Sequence, residues 1–124
     1  MTRPLIYLAT AYSYDPDEGY RLACDATAKL LARGHVVFSP IVHCHEITAL
    51  SDLARWTQAE WYALDYIYLC RCEELWVLED DGGHWRLSEG VRRELGIARQ
   101  RRMPIRFLTA DLTELEPLRE NVPE

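Results

Sequence analysis

The chain has 124 residues, which suits one domain with one core, and its 48% hydrophobic and 27% charged content is that of a globular protein. A formal net charge of −6 argues against a protein that grips the backbone of a nucleic-acid polymer, yet leaves room for a nucleoside or nucleotide held by local groups. The longest early apolar run, Leu5 to Tyr12, is too short to span a bilayer and lacks the pattern of a signal peptide, so no membrane partner is expected.

In chain order, Leu5 to Ala9 is a short apolar run that predicts a buried strand. Ala11 to Gly19 is polar and turn-rich and reads as a loop. Asp15, Asp17 and Glu18 read there as a solvated loop and helix start. Tyr20 to Ala32 has helical spacing, with Leu22, Ala26, Leu30 and Leu31 on one side, and Gly34 ends it. His35 to Ser39 is a second strand, closed by Pro40. Ile41 to Arg55 reads as irregular, with room for one helical turn. Trp56 to Cys72 is a long helix, Leu75 to Leu78 a third strand, and Glu79 to Trp85 a loop. Leu87 to Arg102 is a helix, Ile105 to Leu108 a fourth strand, and Leu112 to Leu118 a last short helix.

Alternating strands and helices imply one α/β domain over residues 1–124, built on a parallel sheet of four to five strands. Ligands of such sheets bind beyond the carboxyl ends of the strands. Three loops reach that edge: Thr10 to Tyr14, Ser39 to His45, and Glu79 to Ser88. Cys24, Cys44, Cys70 and Cys72 form no CxxC pair, so they are expected as reduced thiols in a cytoplasmic protein.

Two carboxylates fall where a helix should be oily. With Val91 at 0° and about 100° per residue, Leu95 falls at about 40°, Ala98 at about 340° and Ile97 at about 240°. Glu94 falls at about 300°, inside that apolar stripe. Asp65 repeats the oddity, centred among Trp61, Tyr68, Leu69 and Cys72. A buried structural Asp or an ion pair would explain either residue alone. Two on helices flanking one strand point to paired carboxylates with separated proton affinities, one a nucleophile or base and the other an acid.

Other candidates divide. Ser88 suits a helix N-cap, which does not exclude ligand contact. His43-Cys44-His45-Glu46 has the look of a ligand cluster if the segment is extended, but no second pair completes a tetrahedral site, so no metal is expected. His45 is expected instead to touch a base or ribose. Trp56, Trp61, Tyr62, Tyr66 and Tyr68 read first as core plus a subunit interface, with a base-stacking platform as the alternative.

The run Ser88-x-Gly90-Val91-x-x-Glu94-Leu95-Gly96-x-Ala98 resembles the catalytic motif of the nucleoside 2-deoxyribosyltransferase superfamily, which includes the 2′-deoxynucleoside 5′-phosphate N-hydrolases. Ile6-Tyr7-Leu8-Ala9 resembles its opening strand, and Gly34 to Pro40 its second strand and loop. Asp65, followed by Glu73 before the third strand, is similar to its catalytic Asp and strand-leading acid. The likeness runs from Leu5 to Leu108, in the manner of a small bacterial branch for which no activity is directly implied.

The resemblance implies a flavodoxin-like three-layer sandwich and cleavage of an N-glycosidic bond without a cofactor. Glu94 would be the nucleophile at the anomeric carbon and Asp65 the proton donor to the leaving base. Tyr7, Ala9, Thr10, Ser88 and Gly90 would lie at the substrate, with Tyr7 near the sugar or orienting Glu94. A homo-oligomer is also implied, since family sites often borrow residues from a neighbouring subunit.

The family's transferases carry Asp at position 88 and its monophosphate hydrolases Ser, so Ser88 points to phosphate. The loop Thr10-Ala11-Tyr12-Ser13 points the other way, because it lacks the hydrolases' phosphate-binding Arg. Arg86, Arg92 or Arg93 could replace that cation, whereas Asp80 and Asp81 would repel a phosphate unless turned away. The altered first loop and acidic third loop also fit a module that binds a nucleotide without turning it over.

Overall fold

Leu5–Thr10 forms β1, with five of its six residues buried. Continuous burial marks a strand covered on both faces, and neighbours on both sides complete the picture. A computed structural model describes residues 3–12, 14–80 and 83–114. It has β2 (Val36–Phe38), β3 (Glu74–Glu79) and β4 (Ile105–Thr109) in one four-stranded sheet of order β2-β1-β3-β4. Every pairing between these strands is parallel. This is the flavodoxin-like order, carried by four strands among the described residues.

Alternate side chains feed two cores. Ile6, Leu8, Trp76, Leu78 and Leu108 pack with Ala26 and Leu30 of α1 (Pro16–Ala32). On the opposite face, Tyr7, Ala9, Leu75, Val77 and Phe107 pack with Leu69 of α3 (Gln58–Arg71) and with Val91, Leu95 and Ala98 of α4 (Glu89–Gln100). The three layers are therefore α1, the sheet, and the α3–α4 pair. Glu73, just before β3, fixes the opposite end of the sheet: its Oε1 accepts from the Leu5 N–H at 2.8 Å.

Helix starts depart from the periodic pattern because caps decide them. α1 begins at Pro16 rather than Tyr20: Asp15 caps it, accepting from the Glu18 N–H at 3.3 Å, and Asp17 and Glu18 face the positive helix end. Thr57 and Glu60 form a reciprocal capping box at the start of α3. Ser88 caps α4, which leaves Leu87 outside the helix and 82% exposed. The segment expected to be irregular contains a short helix, α2 (Pro40–Cys44), capped by Ser39, and a 3₁₀ turn at Ile47–Ala49. The expected helix from Leu112 is corrected over its described part: Leu112 has a left-handed φ of 70°, and Glu114 bridges antiparallel to Leu108. Its remainder lies outside the described residues.

All four cysteines are free thiols. Burial pushes Cys44 and Cys72 each up to about 11, which keeps them protonated and unreactive. No described helix is long and apolar enough to cross a membrane.

Candidate functional site

The sheet reverses its winding direction between β1 and β3, and a cavity opens at their carboxyl ends. It measures about 210 Å³ and draws its walls from each expected loop: Thr10 and Tyr12 after β1, Pro40 and Cys44 of α2, and Ser88, Gly90 and Glu94 of α4. Gln58, Trp61, Tyr62 and Asp65 of α3 close the remaining side. A narrow recess, lined by Tyr7, Tyr62, Asp65, Arg93 and Glu94, continues beneath it along the α3–α4 seam. Glu94 and Asp65 thus share both spaces.

Helix phase explains their meeting. Glu94 stands one turn from Val91 and Ala98, which are buried against the sheet. Asp65 stands one turn from the buried Leu69 on the neighbouring helix. Each carboxylate is carried inward by apolar residues of its own helix, into a seam between two packed elements.

Their environments differ. Tyr7 donates its hydroxyl to Glu94 Oε2 at 2.6 Å. Burial raises Glu94 to about 8, and the nearby Asp65 charge adds to the rise, while the Tyr7 hydrogen bond and Arg93 oppose it. Asp65 is raised to about 6 by burial, against the pull of Arg93. Its Oδ1 is buried with no hydrogen-bond partner. Tyr7 is pushed well above the ordinary phenol range by burial and by the charges of Glu94 and Asp65, so it stays a donor.

Gly90 stands between Tyr62 and Ser88. A Cβ there would lie 3.7 Å from Tyr62 Oη and 3.9 Å from Ser88 Oγ, both ordinary contacts. The protein could therefore accommodate a side chain, and its absence leaves room on the cavity side. Ser88 Oγ accepts from the Val91 N–H at 3.2 Å, so one residue both caps α4 and faces the cavity.

The sequence-derived candidates are only partly brought together. Glu94, Asp65, Tyr7, Thr10, Ser88 and Gly90 line the cavity or its recess. Ala9 is fully buried in the core beneath α3 and α4. His45 is not among the lining residues: its Nδ1 lies 2.7 Å from Tyr12 Oη, and its ring stacks on Tyr20 at 4.1 Å. The cause is local: Pro40–Cys44 is helical rather than extended, so residues two apart diverge by about 200°. His43 accordingly packs towards Phe38 and Tyr68 instead. No group of three or more His, Cys, Asp or Glu side chains able to hold a metal occurs among the described residues.

Asp80 turns away from the cavity. Its carboxylate accepts from the His84 N–H at 2.8 Å, pairs with His84 Nδ1, and accepts from the Tyr14 hydroxyl at 3.3 Å. Asp81 lies outside the described residues. Arg86 lies over the Trp85 ring at 4.7 Å and Arg93 over the Tyr62 ring at 4.9 Å. Tyr12 is a cavity residue that the sequence did not single out, and Trp61 and Tyr62 read from the sequence first as core and interface, with base stacking only as the alternative. A signal existed for the last two, since they precede Asp65 by four and three residues and must share its helix face. A larger cleft of about 470 Å³ lies near α1, but its Arg21 and Lys29 are paired with Glu18 and Asp25 of the same helix.

Residues 4–109 match the profile of a domain of unknown function, DUF1937. The chain belongs to this family. Among curated proteins none matches it. A solved structure described as a 2-deoxyribosyltransferase from the psychrotolerant bacterium Bacillus psychrosaccharolyticus is similar with a TM-score of 0.61. That similarity covers 93% of this chain and 78% of the other at 21% identity, and it establishes the fold of this DUF1937 member.

Proposed function

We propose that this protein cleaves the N-glycosidic bond of a nucleoside or nucleotide, by hydrolysis or transfer. The observation that carries the proposal is the convergence of Glu94 and Asp65 on one cavity at the switch point of the sheet. Glu94 attacks the anomeric carbon through an oxocarbenium-like transition state. The C–N bond breaks, its electron pair goes to the base nitrogen, and Asp65 delivers the proton there. Asp65, now ionised, takes a proton from water, whose oxygen attacks the anomeric carbon and frees Glu94. In transfer, the nitrogen of a second base takes the place of water.

Burial places the higher proton affinity on Glu94, whereas these roles need the proton on Asp65. The two titrate as a pair, and between about 6 and about 8 the pair holds one proton. Tyr7 donates to Glu94 and favours charge there, while Asp65 Oδ1 has no donor facing it. These contacts ease the shift of that proton from Glu94 to Asp65, so the form that reacts is the minor one of the singly protonated pair.

The test is base release from a panel of nucleosides and 5′-monophosphates. At least one should yield free base, and Glu94→Gln should lower that rate by about 1000-fold or more. A panel with no release by the unmutated protein would overturn the reading. The raised affinity of Glu94 for its proton favours a second reading, a module that binds an intact nucleotide, since a neutral carboxyl is no nucleophile. Calorimetry showing tight binding with no product over hours would support that alternative. A homo-oligomer belongs to the first reading, and light scattering measures it.

A further inference from the structure

We propose that Tyr12, held by His45, is a specificity-determining residue that reads a hydroxyl group of the ligand and turns a phosphate away. This rests on the nucleoside-type reading of the cavity.

One carboxylate favours one of the hydrogen-bond directions open to His45. His45 Nε2 lies 3.5 Å from Asp17 Oδ1, and an ionised carboxylate can only accept. The imidazole tautomer with its proton on Nε2, facing Asp17, offers Nδ1 as an acceptor. In that tautomer Tyr12 donates its single proton to Nδ1, at 2.7 Å. Its oxygen then has only lone pairs left for a ligand, and Tyr12 lines the cavity. The Tyr20 ring, stacked on the imidazole with an interplanar angle of 18°, holds the arrangement in place. Thr10 Oγ1 stands on the same wall, in a residue 5% exposed, and has no hydrogen-bond partner.

Charge points the same way. Among the described lining residues are Asp65 and Glu94 but no Lys or Arg. The wall that continues outward past Tyr12 and Ser88 adds Glu89 and again no Lys or Arg. Glu89 occupies the first turn of α4, so the positive helix end that could hold a phosphate already has a carboxylate beside it. A phosphate is an acceptor with negative charge. It would meet the lone pairs of Tyr12 on a wall that carries Asp65 and Glu94, with Arg93 set beneath them in the recess, whereas a hydroxyl would meet an acceptor that it satisfies.

Calorimetry in a Glu94→Gln background keeps the ligands intact. The probes are adenosine, 5′-deoxyadenosine, 3′-deoxyadenosine and adenosine 5′-monophosphate, with the matching thymidine series. In that background the nucleoside of at least one series should bind about tenfold or more tighter than its monophosphate and than one of its deoxy analogues. Adding Tyr12→Phe should bring nucleoside and deoxy analogue to within about threefold of each other. Adding His45→Ala instead releases the Tyr12 hydroxyl to donate, and should shift the nucleoside-to-monophosphate ratio about tenfold towards the monophosphate.

A purely structural role for the pair would weaken all ligands by a common factor, and unchanged ratios in both variants would overturn the proposal. Tighter binding of the monophosphate in the parent background would also overturn it. Absence of binding by every probe would remove it together with the nucleoside-type reading. Discrimination that holds while the unmutated protein releases no base would leave this proposal standing and remove the catalytic one.

Discussion

Glu94 is a partly buried acid whose desolvation the fold must offset. Its side chain ionises at about 4.5 when unfolded but at about 8 in the folded protein. The folded state therefore holds a proton that the unfolded state has lost between those values. The stability contributed by this proton is full below about 4.5 and is lost as pH rises towards about 8. Glu94→Gln removes the ionisation and keeps an oxygen for the Tyr7 hydroxyl. It should raise the melting temperature by a few degrees at pH 8 and by less at pH 5. Equal shifts at the two pH values would mean that the carboxyl is not held neutral. Activity should follow a bell whose limbs belong to the pair. Below about 6 both carboxyls are protonated and the nucleophile is lost; above about 8 both are ionised and the acid is lost. A kcat/KM that keeps rising beyond pH 9 would remove Asp65 as the proton donor.

At the scale of elements, two helical glycines should answer the same substitution with opposite signs. A Cβ on Gly19, in the first turns of α1, would stand 2.6 Å from the Ala11 carbonyl oxygen, which is backbone and cannot swing aside. Gly19→Ala should cost about 1–3 kcal/mol and shift the loop after β1. Gly90→Ala meets only ordinary contacts and gains helix propensity of about 1 kcal/mol or less, so it should leave stability equal or higher. Because it fills cavity space, it should raise KM without unfolding the protein. Denaturant midpoints for both variants, with kinetics for Gly90→Ala, check the contrast. The inward phase of Glu94 and Asp65 was legible from apolar spacing, because helix periodicity alone sets which residues share a face. The start of α1 was written in Asp15-Pro16-Asp17-Glu18, a cap followed by Pro and acids; the acids read as loop and helix start, but apolar spacing sets the first helical residue at Tyr20. His45 was not legible. Whether residues after β2 form a strand or one turn of helix decides where its ring points, and Ser39 and Pro40 settle that through a cap.

At the scale of the molecule, parallel strands followed from alternation, but the strand order did not, since several orders satisfy the same alternation and crossover rule. The order matters because it sets β1 and β3 side by side and gives both cores the same strands. Ile6 and Leu8 belong to the α1 side, Tyr7 and Ala9 to the α3–α4 side, and they alternate along one chain segment. Losing one core exposes the backs of the strands that form the other, so the two layers should open as one unit. Native-state hydrogen exchange tests this. The slowest amides of α1 and of α4 should reach the same limiting free energy, equal to that from denaturant unfolding. Glu94 and Asp65 would then be held by the global stability of the domain, with Tyr7 inside the last structure to open. A gap of more than about 1 kcal/mol between the two helices would divide the fold into separate units, and the geometry of the carboxylate pair would depend on the weaker of them.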